Sequence, residues 1–258
     1  MNAVGAVVVT HNSEDTIADC IRSLLAQKIQ SICVVDSASV DSTLDIVREF
    51  PVQVVTLDQN RGFGAAANVG SKCLDKPYII FLNPDAFLAS GSIHQAVQYI
   101  SSHASVAVLG FRLQDTEGHP EKGSYGDAVS LLSLFGRRIS KAPIDDAVPL
   151  QVGWVSGGAM LVDTGQFRAV GGFDETFFLY WEDVDLCRRI HAKGKSITLY
   201  PLVAVTHRRG MSLTDIGRKT YLYDQSADRY FRKHYATSIW LLHRLLRQIY
   251  RLFSSRVQ

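Results

Sequence analysis

Apolar and polar positions follow two alternating regimes along the first 110 residues. Short runs rich in β-branched residues, Val4–Thr10, Ser31–Asp36, Val52–Leu57, Tyr78–Leu82 and Val106–Gly110, predict buried strands. Between the first two, Ile17, Cys20, Ile21, Leu24 and Leu25 recur at helical spacing, with Asn12 or Ser13 as the expected cap. Further helices are predicted at Asp41–Glu49, Gly64–Leu74 and Ser92–Ser102. Strands alternating with helices in this way give an α/β fold, a mostly parallel central sheet flanked by helices on both faces. Such sheets bind ligands at the carboxyl ends of their strands. Here those ends carry Thr10-His11-Asn12, Asp36-Ser37 and Asn83-Pro84-Asp85.

From Phe111 to Leu150 the pattern weakens into glycines, prolines and charges, as expected of a variable excursion. Regular structure returns at Val152–Asp163, and a helix is predicted near Glu182–Lys193. The end of the chain changes character again. After Asp228 there is no acidic residue, while Arg229, Arg232, Lys233, Arg244, Arg247, Arg251 and Arg256 alternate with Trp240, Leu241, Leu245, Leu246, Ile249, Leu252 and Phe253. Residues 216–258 are therefore expected to form a basic amphipathic helical segment that lies on an anionic membrane. The alternative is a helix packed on the domain, or on a second subunit of a homodimer.

Composition narrows the field. The 258 residues are 47% hydrophobic, enough to bury one large core or two fused halves. A formal net charge of +2 gives no argument for nucleic acid as a partner. Cys20, Cys33, Cys73 and Cys187 form no Cys-x-x-Cys pair, which argues against a disulfide framework or structural zinc and for reduced thiols in the cytoplasm. The start, MNAVGAVVVTHNSEDT, lacks a basic region before its apolar run and is expected to be the first strand rather than a signal peptide. No apolar stretch approaches the roughly 20 residues that span a bilayer.

Four segments carry candidate chemistry: Val35-Asp36-Ser37-Ala38-Ser39 with Asp41; Asn60-Arg61-Gly62-Phe63-Gly64 with Asn68; Leu82-Asn83-Pro84-Asp85-Ala86; and Gly171-Gly172-Phe173-Asp174-Glu175 leading into Trp181-Glu182-Asp183-Val184-Asp185. Each is weak alone, but their order and spacing over roughly residues 4–212 resemble the family 2 inverting glycosyltransferases, and among them the rhamnosyltransferase-like bacterial enzymes. The resemblance implies a GT-A fold. Residues 1–110 would then be the nucleotide-sugar-binding half and residues 111–215 the acceptor-side, catalytic half.

Several residues acquire expected roles. Asp36, ending the second strand, can accept the N3–H of uracil or thymine, the use the family makes of its matching aspartate; the alternative is a turn aspartate. Asp85, emerging from a buried strand, is suited to Mg²⁺ or Mn²⁺ through hard oxygen, with the donor diphosphate completing the shell. The family pattern is commonly Asp-x-Asp, and Asn83 at its first position removes one anionic ligand. The resemblance adds His207 as a second metal ligand. Thr10, Asn12, Asn60, Gly62, Asn68 and Asn83 complete the expected donor contacts.

Asp183 is the expected general base. At about 100° per residue it shares a side with Leu186, Cys187 and Ile190, while Glu182 and especially Asp185 point further from that stripe. The head of a helix favours the ionised carboxylate that takes an acceptor proton. An acidic first turn that merely complements the helix dipole is the alternative, and the resemblance favours catalysis. Trp181 and Tyr180 can stack on a sugar or simply pack; Gly158, Trp181 and Glu182 are the expected acceptor contacts.

The implied reaction moves a sugar, L-rhamnose from dTDP-rhamnose as the first expectation, from a dTDP- or UDP-linked donor onto a saccharide acceptor. The basic tail points to a polyprenyl-diphosphate-linked acceptor used for O-antigen or related lipopolysaccharide synthesis. That places the protein in the bacterial cytoplasm, peripheral on the inner membrane. Two other functions compete. Gly62-Phe63-Gly64-Ala65-Ala66-Ala67 nearly matches a dinucleotide fingerprint, which would make the chain a nicotinamide or flavin oxidoreductase, although Asp58–Arg61 separates the first glycine from its strand. An inactive sugar-nucleotide-binding module would keep the fold without turnover.

Overall fold

The structure, a computed structural model, describes residues 3–129, 148–208 and 216–254. Part of the expected excursion, Arg209 and Arg256 lie outside the described residues. Strands β1 (Val4–Thr10), β2 (Ile32–Asp36), β3 (Gln53–Thr56) and β4 (Tyr78–Leu82) are parallel, in the order β3-β2-β1-β4. Their connections are α1 (Ile17–Ala26), α2 (Thr43–Arg48) and α3 (Phe63–Lys72). Next come β5 (Ala86–Ser90), α4 (Ile93–Ser102), β6 (Val106–Gln114), β7 (Tyr125–Gly126), β8 (Leu150–Val152), β9 (Trp154–Val155), β10 (Ala159–Asp163), α5 (Thr164–Ala169), α6 (Glu182–His191), β11 (Ser196–His207), α7 (Ile216–His234) and α8 (Thr237–Ser254). The main sheet continues from β4 through β10, β6 and β11 to β5, with β10 antiparallel to β4 and β6, and β11 parallel to β6. The boundary expected at residue 110 falls inside β6, so both halves share one sheet.

Side chains that alternate along β1 serve two cores. Ala6 and Val8 pack with α1 and α4, whereas Val7 packs with Val35, α3 and α6. Helix α1 buries Ile17, Cys20, Ile21 and Leu24; each such aliphatic side chain contributes about 1.5–3 kcal/mol. Gly70 lets α3 lie flat on the sheet, because a Cβ there would sit 2.6 Å from Val7 and 2.9 Å from Val35.

One expectation needs correction here. Helix α1 begins at Ile17, not at Asn12 or Ser13: the Ser13 carbonyl accepts the Thr16 and Ile17 N–H groups, and Asn12 adopts φ 51° with its side-chain oxygen on Val40 N–H. The tail holds two helices, α7 and α8, and its arginines do meet acids. Arg247 lies 3.5 Å from Asp224 and Arg244 lies 3.5 Å from Asp228, both carboxylates on α7. Docked in this way, α8 leaves Leu241, Leu242 and Leu245 exposed. Among the described residues no helix is long and apolar enough to cross a membrane.

Candidate active site

The carboxyl ends of β1, β2 and β4 form one edge. Thr10 and Asp36 are register partners, and Val8 pairs with Leu82, so Thr10, Asp36 and the Asn83–Asp85 turn lie at about one level. Asp36 stands two strands, roughly 10 Å, from β4. Both its carboxylate oxygens accept from Ser39, one from the backbone N–H at 3.0 Å and one from the hydroxyl. That is the turn geometry set against base recognition above, and each oxygen keeps a further lone pair. Thr10 Oγ1 and Ser37 Oγ beside it are buried with no protein partner.

Pairing of β11 with β5 sets His207 opposite Ala86 and hence beside Asp85. His207 Nε2 lies 3.1 Å from Asp85 Oδ1, and its Nδ1 lies 2.9 Å from Glu121 Oε2. Burial works against a charged ring, but the hydrogen bonds to Asp85 and Glu121 outweigh it and raise its pKa to about 9. Two ligands at right angles on Mg²⁺, each about 2.1 Å from the ion, are about 3 Å apart. The Asp85–His207 spacing therefore fits a divalent cation, with Asp85 offering a hard oxygen and His207 a nitrogen once its proton is displaced. Among the described residues no group of three His, Cys, Asp or Glu side chains could hold a metal.

Asp183, in the first turn of α6, accepts from Gly157 N–H at 3.0 Å and from Val184 N–H at 2.8 Å. The adjacent Gly158 carbonyl accepts from Asn83 N–H at 3.0 Å. One dipeptide thus ties the expected base to the expected cation-binding turn. The turn entering α6 is strained: Tyr180 and Trp181 are both left-handed, at φ 68° and 70°. Of the five non-glycine residues with positive φ among the described residues, Asn12, Ala38, Tyr180 and Trp181 belong to the motif loops, and only Lys28 does not.

Several expected contacts are used within the chain instead. Trp181 is 6% exposed and packs on Tyr223, Tyr230 and Phe231 of α7, which is the packing alternative rather than sugar stacking. Asn68 donates to the Phe173 carbonyl and to Glu175 and accepts from Phe173 N–H, so it clamps the Gly-Gly-Phe loop instead of facing a donor. A Cβ on Gly62, at φ 88°, would lie 2.0 Å from the Phe178 carbonyl; the close approach this glycine permits is to its own chain. Asn60 holds Gly62 N–H and is itself exposed.

Asp185 overturns the helical-wheel expectation. It is fully buried and bonds Arg189 at 2.7 Å, Lys233 at 2.7 Å and His234 at 2.6 Å. Burial alone would raise its pKa; His234, Arg189 and Lys233 together hold it below the ordinary carboxylate value. Glu182 is buried as well. Sequence reading missed Glu121, which sits in the irregular stretch with no periodic signal to single it out. A hollow of about 420 Å³ at the opposite edge of the sheet, lined by Gln30, Gln53, Asp75 and Lys76 among others, gathers none of the motif residues.

This sheet order, with carboxylates gathered at one edge, defines the GT-A class of α/β fold. The solved structure of GalNAc-T7 with UDP, GalNAc and Mn²⁺ shares it at a TM-score of 0.66 and 17% identity, covering 90% of this chain and 50% of that one, so the chain spans half that protein's length. The family model for glycosyl transferase family 2 matches residues 6–161, and the chain belongs to that family. A second model, the N-terminal domain of galactosyltransferase, matches residues 147–212. Among curated proteins the chain is similar to N-acetylglucosaminyl-diphospho-decaprenol L-rhamnosyltransferase of Mycobacterium tuberculosis, at 28% identity over 74% of this chain and 70% of that protein. It is likewise similar to rhamnosyltransferase WbbL of Escherichia coli K12, at 28% identity over 78% and 81%. The oxidoreductase reading falls with the family match and with Gly62 turned toward Phe178.

Proposed function

We propose that this glycosyltransferase moves L-rhamnose from dTDP-rhamnose onto a polyprenyl-diphosphate-linked saccharide, with inversion at the anomeric carbon. The observation that carries the reading is the Gly157-Gly158 link, which sets Asp183 beside the Asn83–Asp85 turn. Asp183 takes the proton of the acceptor hydroxyl as that oxygen bonds the anomeric carbon and the bond to the nucleoside diphosphate breaks. Asp85 and His207 hold Mg²⁺ or Mn²⁺. When bound, the cation neutralises charge developing on the departing diphosphate. Asp36 reads the pyrimidine, Thr10, Asn12, Asn60 and Asn83 line the donor, and Gly158 and Glu182 face the acceptor.

The rhamnosyltransferases named above support the sugar and the lipid-linked acceptor, and Mn²⁺ in the GalNAc-T7 structure supports the cation. The exposed leucines of α8, next to Arg244, support contact with an anionic membrane surface on its cytoplasmic side. A thermal-shift screen of dTDP-rhamnose, UDP-N-acetylglucosamine, GDP-mannose and NAD with Mn²⁺ tests the donor. A ligand at 100 times its Kd stabilises the fold by about 2.7 kcal/mol. dTDP-rhamnose is expected to raise the melting temperature most, and rhamnose transfer to polyprenyl-diphospho-N-acetylglucosamine to follow. Stabilisation by NAD alone, or binding without any transfer, overturns the reading.

A further inference from the structure

Glu121 is the residue at this edge to which neither the motifs nor the proposed reaction gives work. It follows the isolated bridge between Gln114 and Pro120, and its own N–H bonds the Leu113 carbonyl, so β6 fixes its backbone. Its side chain is 10% exposed, that of His207 is 13% exposed, and Asp85 is 4% exposed. A buried carboxylate in such a place carries a desolvation penalty that needs a compensating partner. One partner is the Nδ1 ring nitrogen of His207, on the far side of the imidazole from Asp85.

We infer that Glu121 is a positioning residue for the cation site: it holds the Nδ1 side of the ring, and so fixes the orientation in which Nε2 faces a cation beside Asp85 and keeps the remaining proton on Nδ1. The inference rests on the reading of Asp85 and His207 as ligands. An imidazole can donate a lone pair to a metal from one nitrogen only when the other keeps its proton, and a carboxylate acceptor there also makes the ring more basic. Neutral tautomers of histidine otherwise exchange freely. A ring whose Nδ1 lies 2.9 Å from a side chain anchored to β6 has its orientation set before any ligand arrives, and a cation that displaces the Nε2 proton leaves the Nδ1 proton facing Glu121.

Mn²⁺ binding by paramagnetic resonance, with UDP present, tests this on the full chain and its Glu121→Gln, Glu121→Ala, His207→Ala and Asp85→Asn variants. Outer-shell carboxylates of this kind change metal affinity by about 10–100-fold. Glu121→Ala is expected to weaken Mn²⁺ binding within that range and Glu121→Gln, which keeps an acceptor, by less. Pulsed spectra should also lose the ¹⁴N modulation of a bound histidine in Glu121→Ala, a signature that a merely structural role would not move. Wild-type affinity with undiminished ¹⁴N modulation in both Glu121 variants, while His207→Ala binds poorly, overturns the inference and leaves the cation site standing. Failure of the parent chain to bind Mn²⁺, or unchanged binding in His207→Ala and Asp85→Asn, overturns the cation site and the inference together. Should Glu121→Ala fail to fold, Glu121→Gln decides by the same two readouts.

Discussion

Replacing Asp183 by asparagine separates the chemistry of the proposed base from its structural duties. Its two oxygens accept one N–H each, from Gly157 and Val184. Asparagine offers one oxygen and one NH₂, so one of those N–H groups faces a donor. A buried amide left unpaired costs about 1–3 kcal/mol, and each kcal/mol lowers the melting temperature of a chain this size by roughly 2–4 °C. The variant should thus remain folded at 25 °C. Loss of a general base removes about 10²–10⁴ from the rate, or roughly 3–5 kcal/mol of barrier. Donor affinity, which the proposal assigns to the β2 and β4 edge, should stay within about twofold, a difference of only about 0.4 kcal/mol. The assay is steady-state transfer followed by release of the nucleoside diphosphate, with donor binding measured separately by calorimetry. Turnover within about a factor of ten of the parent, equivalent to only 1.36 kcal/mol, would refute the assignment. Loss of donor affinity in parallel with rate would show that Asp183 holds the fold or the donor instead.

Asp185→Ala strips a fully buried carboxylate from Arg189, Lys233 and His234 and should destabilise the chain by about 3–5 kcal/mol in denaturant melts; a change under about 1 kcal/mol would show that the ion cluster is dispensable. His243, stacked on Phe231, has its pKa pushed down to about 4, chiefly by burial and then by Arg247. The unfolded chain, with its ring near the ordinary value of 6.5, binds the proton more readily, so this contribution to stability is complete above about pH 6.5 and is lost as pH falls toward 4. His243→Phe should flatten the slope of stability against pH across that window, and an identical slope would refute the linkage. Deleting residues 237–258 should release the protein from anionic vesicles in co-sedimentation. The cut belongs there because an earlier one would remove Lys233 and His234 from Asp185, and undiminished sedimentation would defeat the membrane proposal.

Strands β1, β2 and β4 were legible because a strand buried on both faces is written as an uninterrupted aliphatic run. Their ends pointed directly to Asp36 and Asp85. Strand β11 was not: Pro201 and exposed Leu202 interrupt its pattern, and its partners β5 and β6 are distant in the chain. The apolar stripe of α6 places Asp183 on the inward side, but only the resemblance gives it the role of base. Asp185 was misread because a helical wheel assumes one buried side, and α7, some fifty residues later, covers the other. Asn68 and Gly62 matched the motif as written, but the sequence does not distinguish a residue that touches a ligand from one that holds the loop beside it.

The Gly157-Gly158 dipeptide, just before β10, uses its own main-chain atoms to hold both the Asp183 carboxylate and the Asn83 turn. On the glycine side these links use backbone N–H and C=O, which any residue other than proline supplies. If Asp183 is the base and the Asn83–Asp85 turn holds the cation, as proposed, residues that choose sugar and acceptor can be exchanged while this backbone link stays in place. Altered selectivity should then be reachable by substitutions in the surrounding loops at little loss of turnover.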